Sequence, residues 1–277
     1  MKFAVELLAT LNRAYAGRPA PRIRALHLPP VPWTGTRDGE FGAVELDSGA
    51  LGLSYVLLDD TLATIAAAGA AVRGASALDV ARWWAEGSGA RAALGFAAVN
   101  ALTRELYDRA GFVPPAATDS IGGIVPQPGE HIGMVGFFPP LVKQVTAHGA
   151  RLTVLELRAD LAGAREGFHI TLDAAELAPC TQVLSTSTVL LNHTLDDILA
   201  ACRSARHIAL VGPGAGCLPD GLFARGVTLL GGSWIVDGAA FSAALAAGTP
   251  WGGATRKFSL TRQAYPGLPA LLAANAR

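Results

Sequence analysis

The sequence predicts an α/β protein in two unequal parts. A smaller α+β unit comes first, then a parallel sheet with helices on both faces. Three observations carry this expectation. Residues 22–60 read as short strands broken by turn residues, and long apolar helices follow them. Residues 132–247 alternate strand and helix patterns. Between them, residues 112–131 are rich in Pro and Gly and lack periodicity, so the boundary is expected there. The expected units are residues 1–115 and 116–277.

The composition suits a large core. Of 277 residues, 51% are hydrophobic and only 16% charged, against about 25% charged in a typical domain. Lys+Arg and Asp+Glu number 22 each, giving zero formal net charge. A neutral surface argues against a broad phosphate-binding face, so no nucleic-acid partner is expected. Low charge on an Ala/Gly-rich surface favours self-association, and a homodimer is expected. Cys180, Cys202 and Cys217 are odd in number and form no CxxC pair, which suits a reducing, cytoplasmic setting. The longest apolar run, over Leu62–Val72, is too short to span a bilayer, so no membrane partner is expected.

The elements follow in order. Phe3, Leu7, Leu8 and Leu11 give residues 1–17 an apolar helical face, stopped by Gly17 and Pro19. Residues 22–28 alternate as a half-buried strand. Two further strands read over 43–46 and 50–60, joined by a hairpin at Asp47, Ser48 and Gly49. Ser76 is placed to cap a helix ended by Gly87, and Ser88 to cap the next, which Gly111 stops. In that second helix Leu94, Ala98, Ala101, Leu102 and Leu106 recur at helical spacing. Ala92, Gly95 and Ala98 would admit another backbone.

The second part opens with HIGMVGFFPP (131–140): an apolar strand, a glycine turn at Gly136, then two prolines starting a helix. Such a turn aims a helix N-terminus at whatever sits above the strand. Glu156 follows Gly136 by twenty positions, where nucleotide-binding βαβ units carry a ribose-binding acid. The third glycine of GxGxxG is missing. This is a Rossmann-like unit with a ligand crevice and no complete dinucleotide fingerprint. Later strands read over 151–157, 181–188, 207–214 and 227–237.

Ligands on such sheets sit beyond the carboxyl ends of the strands. The strand ends here carry Gly136 and Phe137, Glu156, residues 185–188 with Asn192, His193 and Thr194, then Gly212, Pro213 and Gly214, then Gly231 and Gly232. Thr194 can equally cap the following helix with Asp197, and Glu156 can be a solvated strand end. No HxH, HxxxH or HExxH spacing occurs among the six histidines. Only His193 and Cys217 fall near the strand ends as metal candidates, and no GxSxG or GxxxxGK[ST] motif is present.

A family resemblance rests on these stretches together. GMVGFFPPLV, STST with LNHTLDDIL, LVGPGAG with LFARGV, and the late GGATRK (252–257) resemble a heavy-metal-chelation family of unknown function. GALGLSYVL, LDVARW and AALGFAAVNAL resemble its companion N-terminal domain, and the likeness spans residues 40–260. The resemblance implies an N-terminal part similar to the capping domain of enolases, and a Rossmann-like C-terminal part. It implies a metal-chelating or heterocyclic small molecule held in the cleft between them. Because the sequence shows no His or Cys ligand cluster, any metal is expected to arrive on an organic chelator. The residues it carries over are Gly133, Gly136, Phe137, Glu156, Thr186, Thr188, Asn192, Thr194, Gly212, Pro213, Gly214 and Lys257. The family's TGTT is STST here and its GPS is GPG, so the ligand contacts differ. Two alternatives stand beside this reading. One is a methyltransferase- or dehydrogenase-like enzyme using a nucleotide cofactor at Gly136 and Glu156. The other is a non-catalytic homo-oligomeric subunit. No residue is an obvious nucleophile, and whether the ligand is transformed is left open.

Overall fold

The computed structural model describes residues 2–32, 35, 40–56 and 62–275, without the side chains of Pro140 and Leu141. Residues 57–60 of the strand expected over 50–60 lie outside these. Helix α1 (Phe3–Ala14) buries Phe3, Leu7, Leu8 and Leu11, the face its periodicity marks. Strands β1 (Ile23–His27), β2 (Phe41–Leu46) and β3 (Leu51–Tyr55) form an antiparallel meander. The hairpin turns at Gly49, whose N–H donates to the Leu46 carbonyl at 2.9 Å.

Helices α2 (Leu62–Val72), α3 (Ala77–Glu86) and α4 (Gly89–Arg109) pack behind this meander. Ser76 caps α3 by accepting from the Asp79 N–H at 3.3 Å. Ser88 occupies the cap position of α4 but makes no side-chain cap bond. Small residues set the packing distance. A Cβ on Gly95 would lie 2.2 Å from the Trp84 backbone nitrogen, and one on Gly52 would lie 2.1 Å from that of Ala101. Helix α4 therefore touches both α3 and β3 through backbone, as its small-residue stripe predicts.

The second part forms an eight-stranded sheet in the order β11-β10-β9-β8-β4-β5-β7-β6. Its strands are β4 (His131–Val135), β5 (Arg151–Leu155), β6 (Gly163–Arg165), β7 (Phe168–Thr171), β8 (Gln182–Thr186), β9 (His207–Val211), β10 (Leu229–Ile235) and β11 (Thr255–Thr261). Helices α5 (Pro139–Ala147), α6 (Thr188–Leu191), α7 (Leu195–Ala201), α8 (Asp220–Ala224), α9 (Gly238–Ala247) and α10 (Leu268–Ala274) complete it. The six strands from β10 to β7 run parallel, while β11 and β6 close the two edges antiparallel. The sequence showed five of these strands. It missed β6, β7 and β11, which are short or sit at an edge and carry half-exposed, mixed residues.

The Pro/Gly stretch after α4 is not a loose tether. Ala116 bridges to Phe258, Ala117 N–H donates to the Lys257 carbonyl, and Ser259 N–H donates to that of Pro115, both at 3.1 Å. The segment thereby covers the outer edge of β11. One apolar core also runs through both parts. It joins Leu11, Trp84, Phe96 and Leu102 to Leu190, Leu218, Leu222 and Phe223. The Trp84 indole N–H donates to the Leu190 carbonyl at 3.0 Å, and the Phe3 N–H to Asp196 at 3.1 Å. Among the described residues no helix is long and apolar enough to cross a membrane.

Candidate functional site

Strand β4 leads to β5 on one side, whereas β8 returns to its other side. The carboxyl ends of β4 and β8 therefore flank the point where strand order reverses, the usual ligand crevice of such sheets. Gly136 stands there with φ +82°, and a Cβ on it would lie 3.2 Å from Thr186. The Thr186 and Thr188 hydroxyls are 3.0 Å apart, and the Thr188 N–H donates to Thr186 Oγ1 at 3.2 Å. Gly212 closes in from the next strand. A Cβ there would lie 2.2 Å from Ser187 Oγ, so the approach needs glycine. The structure thus brings Gly136, Thr186, Thr188 and Gly212 together.

This turn is a poor phosphate cradle. Pro139 and Pro140 carry no N–H, the Phe138 N–H faces Met134 Sδ at 3.3 Å, and the Gly136 N–H donates to the Leu155 carbonyl. The start of α5 offers few donors to an anion, despite its dipole. Glu156 lies one residue past β5, and its Oε1 accepts from the Leu157 N–H at 2.8 Å. Phe137 is exposed and stacks on Phe168 with centroids 6.1 Å apart.

Other expected positions have packing roles. Gly133 lies inside β4, not at its turn, where a Cβ would press on Leu177, Val183 and Cys180. Gly231 and Gly232 are likewise inside β10, and Gly232 makes room for the Phe258 ring. Thr194 makes no side-chain cap on α7. Its hydroxyl instead donates to Asn192 Oδ1 at 2.8 Å, because Asn192 folds over the turn. His193 has φ +61°, stacks on Trp84 and bonds through Nε2 to the Trp84 carbonyl at 2.8 Å. Lys257 is exposed on β11, with β10, β9 and β8 between it and β4.

The loop over residues 212–216 has a second side, and there the two parts of the chain enclose a cavity. Leu51, Leu53, Asn100, Arg104 and Tyr107 line it from the first part, and Pro213, Gly216, Ser233, Trp234 and Phe258 from the second. Its volume is about 30 Å³, room for roughly one or two water molecules. Asn100 is 3% exposed. Its Nδ2 donates to the Leu53 carbonyl at 2.7 Å and the Gly214 carbonyl at 2.8 Å. Two carbonyls claim both N–H bonds, which fixes the amide and leaves Oδ1 buried without a partner. The Tyr107 hydroxyl is also buried without a partner. Burial, then Cys217 and Asp220 nearby, hold it well above the ordinary tyrosine pKa, so it is a neutral donor.

Two guanidinium groups meet the Trp234 ring beside this cavity. Arg104 Cζ lies 3.7 Å from its centroid and Arg256 Cζ 5.9 Å. Arg104 is paired: Nε faces both Asp108 oxygens at 2.8 and 2.9 Å, and Nη1 donates to the Ile235 carbonyl at 2.9 Å. Arg256 donates through Nη2 to the Pro114 carbonyl at 2.6 Å, and its Nη1 is buried with no acceptor. Burial and the neighbouring Arg104 lower its pKa from the usual arginine value. Of the expected residues only Pro213 lines the cavity, and Gly214 contributes its carbonyl. Asn100, Arg104, Tyr107, Ser233 and Arg256 were not read as site residues. The available signal was a set of polar residues, Asn100, Thr103 and Arg104, that follows the apolar run 92–99 of the helix.

The donor set does not fit a metal ion held by the protein alone. Among the described residues no group of three or more His, Cys, Asp or Glu side chains could hold one. Cys180, Cys202 and Cys217 are buried thiols, which burial pushes up to about 12, about 11 and about 12.

Comparison with known proteins agrees with the two-part layout. A family model described as "Putative heavy-metal chelation" matches residues 123–263, and a second model with the same description matches residues 40–103. No curated protein matches the chain. Two solved structures of proteins of unknown function from the DUF364 family are similar in fold. One, from Desulfitobacterium hafniense, is 19% identical with a TM-score of 0.68, covering 94% of this chain and 100% of its own. The other, from Pyrococcus horikoshii, is 18% identical with a TM-score of 0.67, covering 93% and 99%.

Proposed function

This chain belongs to the DUF364 family, described as "Putative heavy-metal chelation", and we propose that it binds a metal-chelating or heterocyclic small molecule at the junction of its two parts. The observation that supports this is a junction cavity lined by Asn100 and Tyr107, whose amide Oδ1 and hydroxyl are both buried and unpaired. A buried polar atom without a partner costs about 1–3 kcal/mol. Two such atoms on residues that line one cavity favour a hydrogen-bonding guest there. Any metal comes as cargo on the organic ligand, because among the described residues no three His, Cys, Asp or Glu side chains gather around an ion.

The loop over residues 212–216 packs on Ser187 through Gly212 and lines the cavity through Pro213 and Gly216. The nucleotide alternative has less support, since the Pro139–Pro140 start of α5 removes donors a pyrophosphate would need.

Calorimetry tests this reading with organic chelators, free divalent metals, S-adenosylmethionine and NAD. A chelator or heterocycle should bind, and Tyr107→Phe should weaken it. Tight binding of free metal, or cofactor binding that depends on Glu156 and ignores Tyr107, would sink the reading.

A further inference from the structure

Asn100 narrows what the junction cavity can receive. It lines the cavity from the middle of α4 and is 3% exposed. Its Nδ2 spends both N–H bonds on the Leu53 and Gly214 carbonyls, so the amide cannot turn over without setting its oxygen against two others. Oδ1 is therefore a fixed acceptor, buried and unpaired. Gly216, which lines the same cavity, stands beside it. A Cβ on Gly216 would lie 3.5 Å from Oδ1 and 3.3 Å from Cγ. Gly216 has no left-handed φ, so its backbone does not call for glycine; the room beside the amide does. Tyr107 also lines the cavity, but a hydroxyl can donate or accept and sets no polarity. The amide oxygen does. An anion beside Oδ1 meets a lone pair, whereas an N–H or O–H supplies the bond that this oxygen lacks. The cavity of about 30 Å³ takes a group the size of roughly one or two waters, such as an amino or hydroxyl group.

We propose that the ligand carries a small N–H or O–H donor, and that Asn100 Oδ1 accepts it in the room that Gly216 leaves open. This rests on the junction reading above and adds the polarity of the end that enters. The atoms that chelate a metal act through lone pairs and, when anionic, have no hydrogen to give. The donor that enters is therefore a separate group of the ligand, which meets Asn100 by an end that holds no metal.

An isosteric pair of probes makes the test. Picolinamide and picolinate are both heterocyclic chelators and differ by NH2 against O⁻. Picolinamide chelates through its ring nitrogen and carbonyl oxygen and keeps the NH2 free. In calorimetry on the full chain without metal, picolinamide should bind about tenfold tighter than picolinate, the worth of one hydrogen bond. Gly216→Ala crowds the approach to Oδ1 and leaves both Nδ2 bonds in place. It should weaken picolinamide about tenfold and keep the melting temperature near that of the wild type. In carbon-13-labelled protein, the Asn100 side-chain carbonyl signal should shift as picolinamide is added, which an amide with a purely structural role would not do. Equal or tighter binding of picolinate, or an Asn100 signal that stays still, with binding weakened by Gly216→Ala, would overturn the donor assignment and leave the junction reading standing. Binding of neither probe, or binding that ignores Gly216→Ala, would overturn both.

Discussion

Asn100 clasps Gly214 across the junction: one amide nitrogen, from the middle of α4, holds the Gly214 carbonyl at 2.8 Å and the Leu53 carbonyl at 2.7 Å. Asn100→Ala removes both bonds and strands both carbonyls in a buried place. The expected loss is about 2–4 kcal/mol, from two hydrogen bonds and their unsatisfied partners. Urea denaturation measures it, and a loss below about half a kcal/mol would contradict the clasp.

The contact of α3 with α4 predicts a contrast between two glycines. Gly95→Ala puts a methyl 2.2 Å from the Trp84 backbone nitrogen, which cannot give way as a flexible side chain would. A loss of about 3 kcal/mol or more is expected, at the upper end for overpacking. Gly69→Ala, in α2, meets only the Leu26 side chain at 3.3 Å. There the better helix former should leave stability unchanged or raise it by up to about 1 kcal/mol. Thermal melts of the two variants should move by clearly different amounts.

Glu130 predicts a pH dependence. Burial raises its pKa, but hydrogen bonds from Thr181, Gln182 and the Gln127 N–H, with Arg206, outweigh that and lower it from 4.5. A depressed carboxylate stabilises the fold above its unfolded pKa, and that contribution fades as pH falls through the folded value. Glu130→Gln should therefore cost about 1–3 kcal/mol at neutral pH. The gap to wild type should close well below pH 4.5. Paired urea titrations at pH 7 and pH 3 follow it, and a gap that stays constant would refute the assignment.

His193 separates a metal role from a packing role. Its ring stacks on Trp84 and holds the Trp84 carbonyl. His193→Ala should lower stability by about 1–2 kcal/mol and leave zinc affinity, read by calorimetry, unchanged.

The elements legible in the sequence were those whose signals are local. The helix stop at Gly17, the Ser76 cap, the hairpin at Gly49 and the strand–turn–helix at Gly136 each rest on a few adjacent residues. Strand β11 was not legible, because it is defined by pairing with β10 and by the covering segment at Ala116, far away in the chain. The site divides in the same way. Gly136, Thr186 and Gly212 could be found from strand ends, since parallel topology gathers those ends. Asn100 and Tyr107 could not. They sit on a helix whose pattern says core, and only the approach of the 212–216 loop turns that helix face into a wall.

The shared core that joins Leu11, Trp84 and Leu102 to Leu190 and Phe223 bears on how a ligand gets in and on how the chain can be cut. A clamshell would need a dry plane to part along, and here that plane is filled with interlocked side chains. On the proposed function, a ligand would therefore reach the cavity from its rim, past the loop at Pro213, and not by parting of the two halves. For the same reason, the stretches covered by the two family models are not separable modules. Expressed apart, each would present a raw apolar face to water and clump, and only the joined chain would stay in solution.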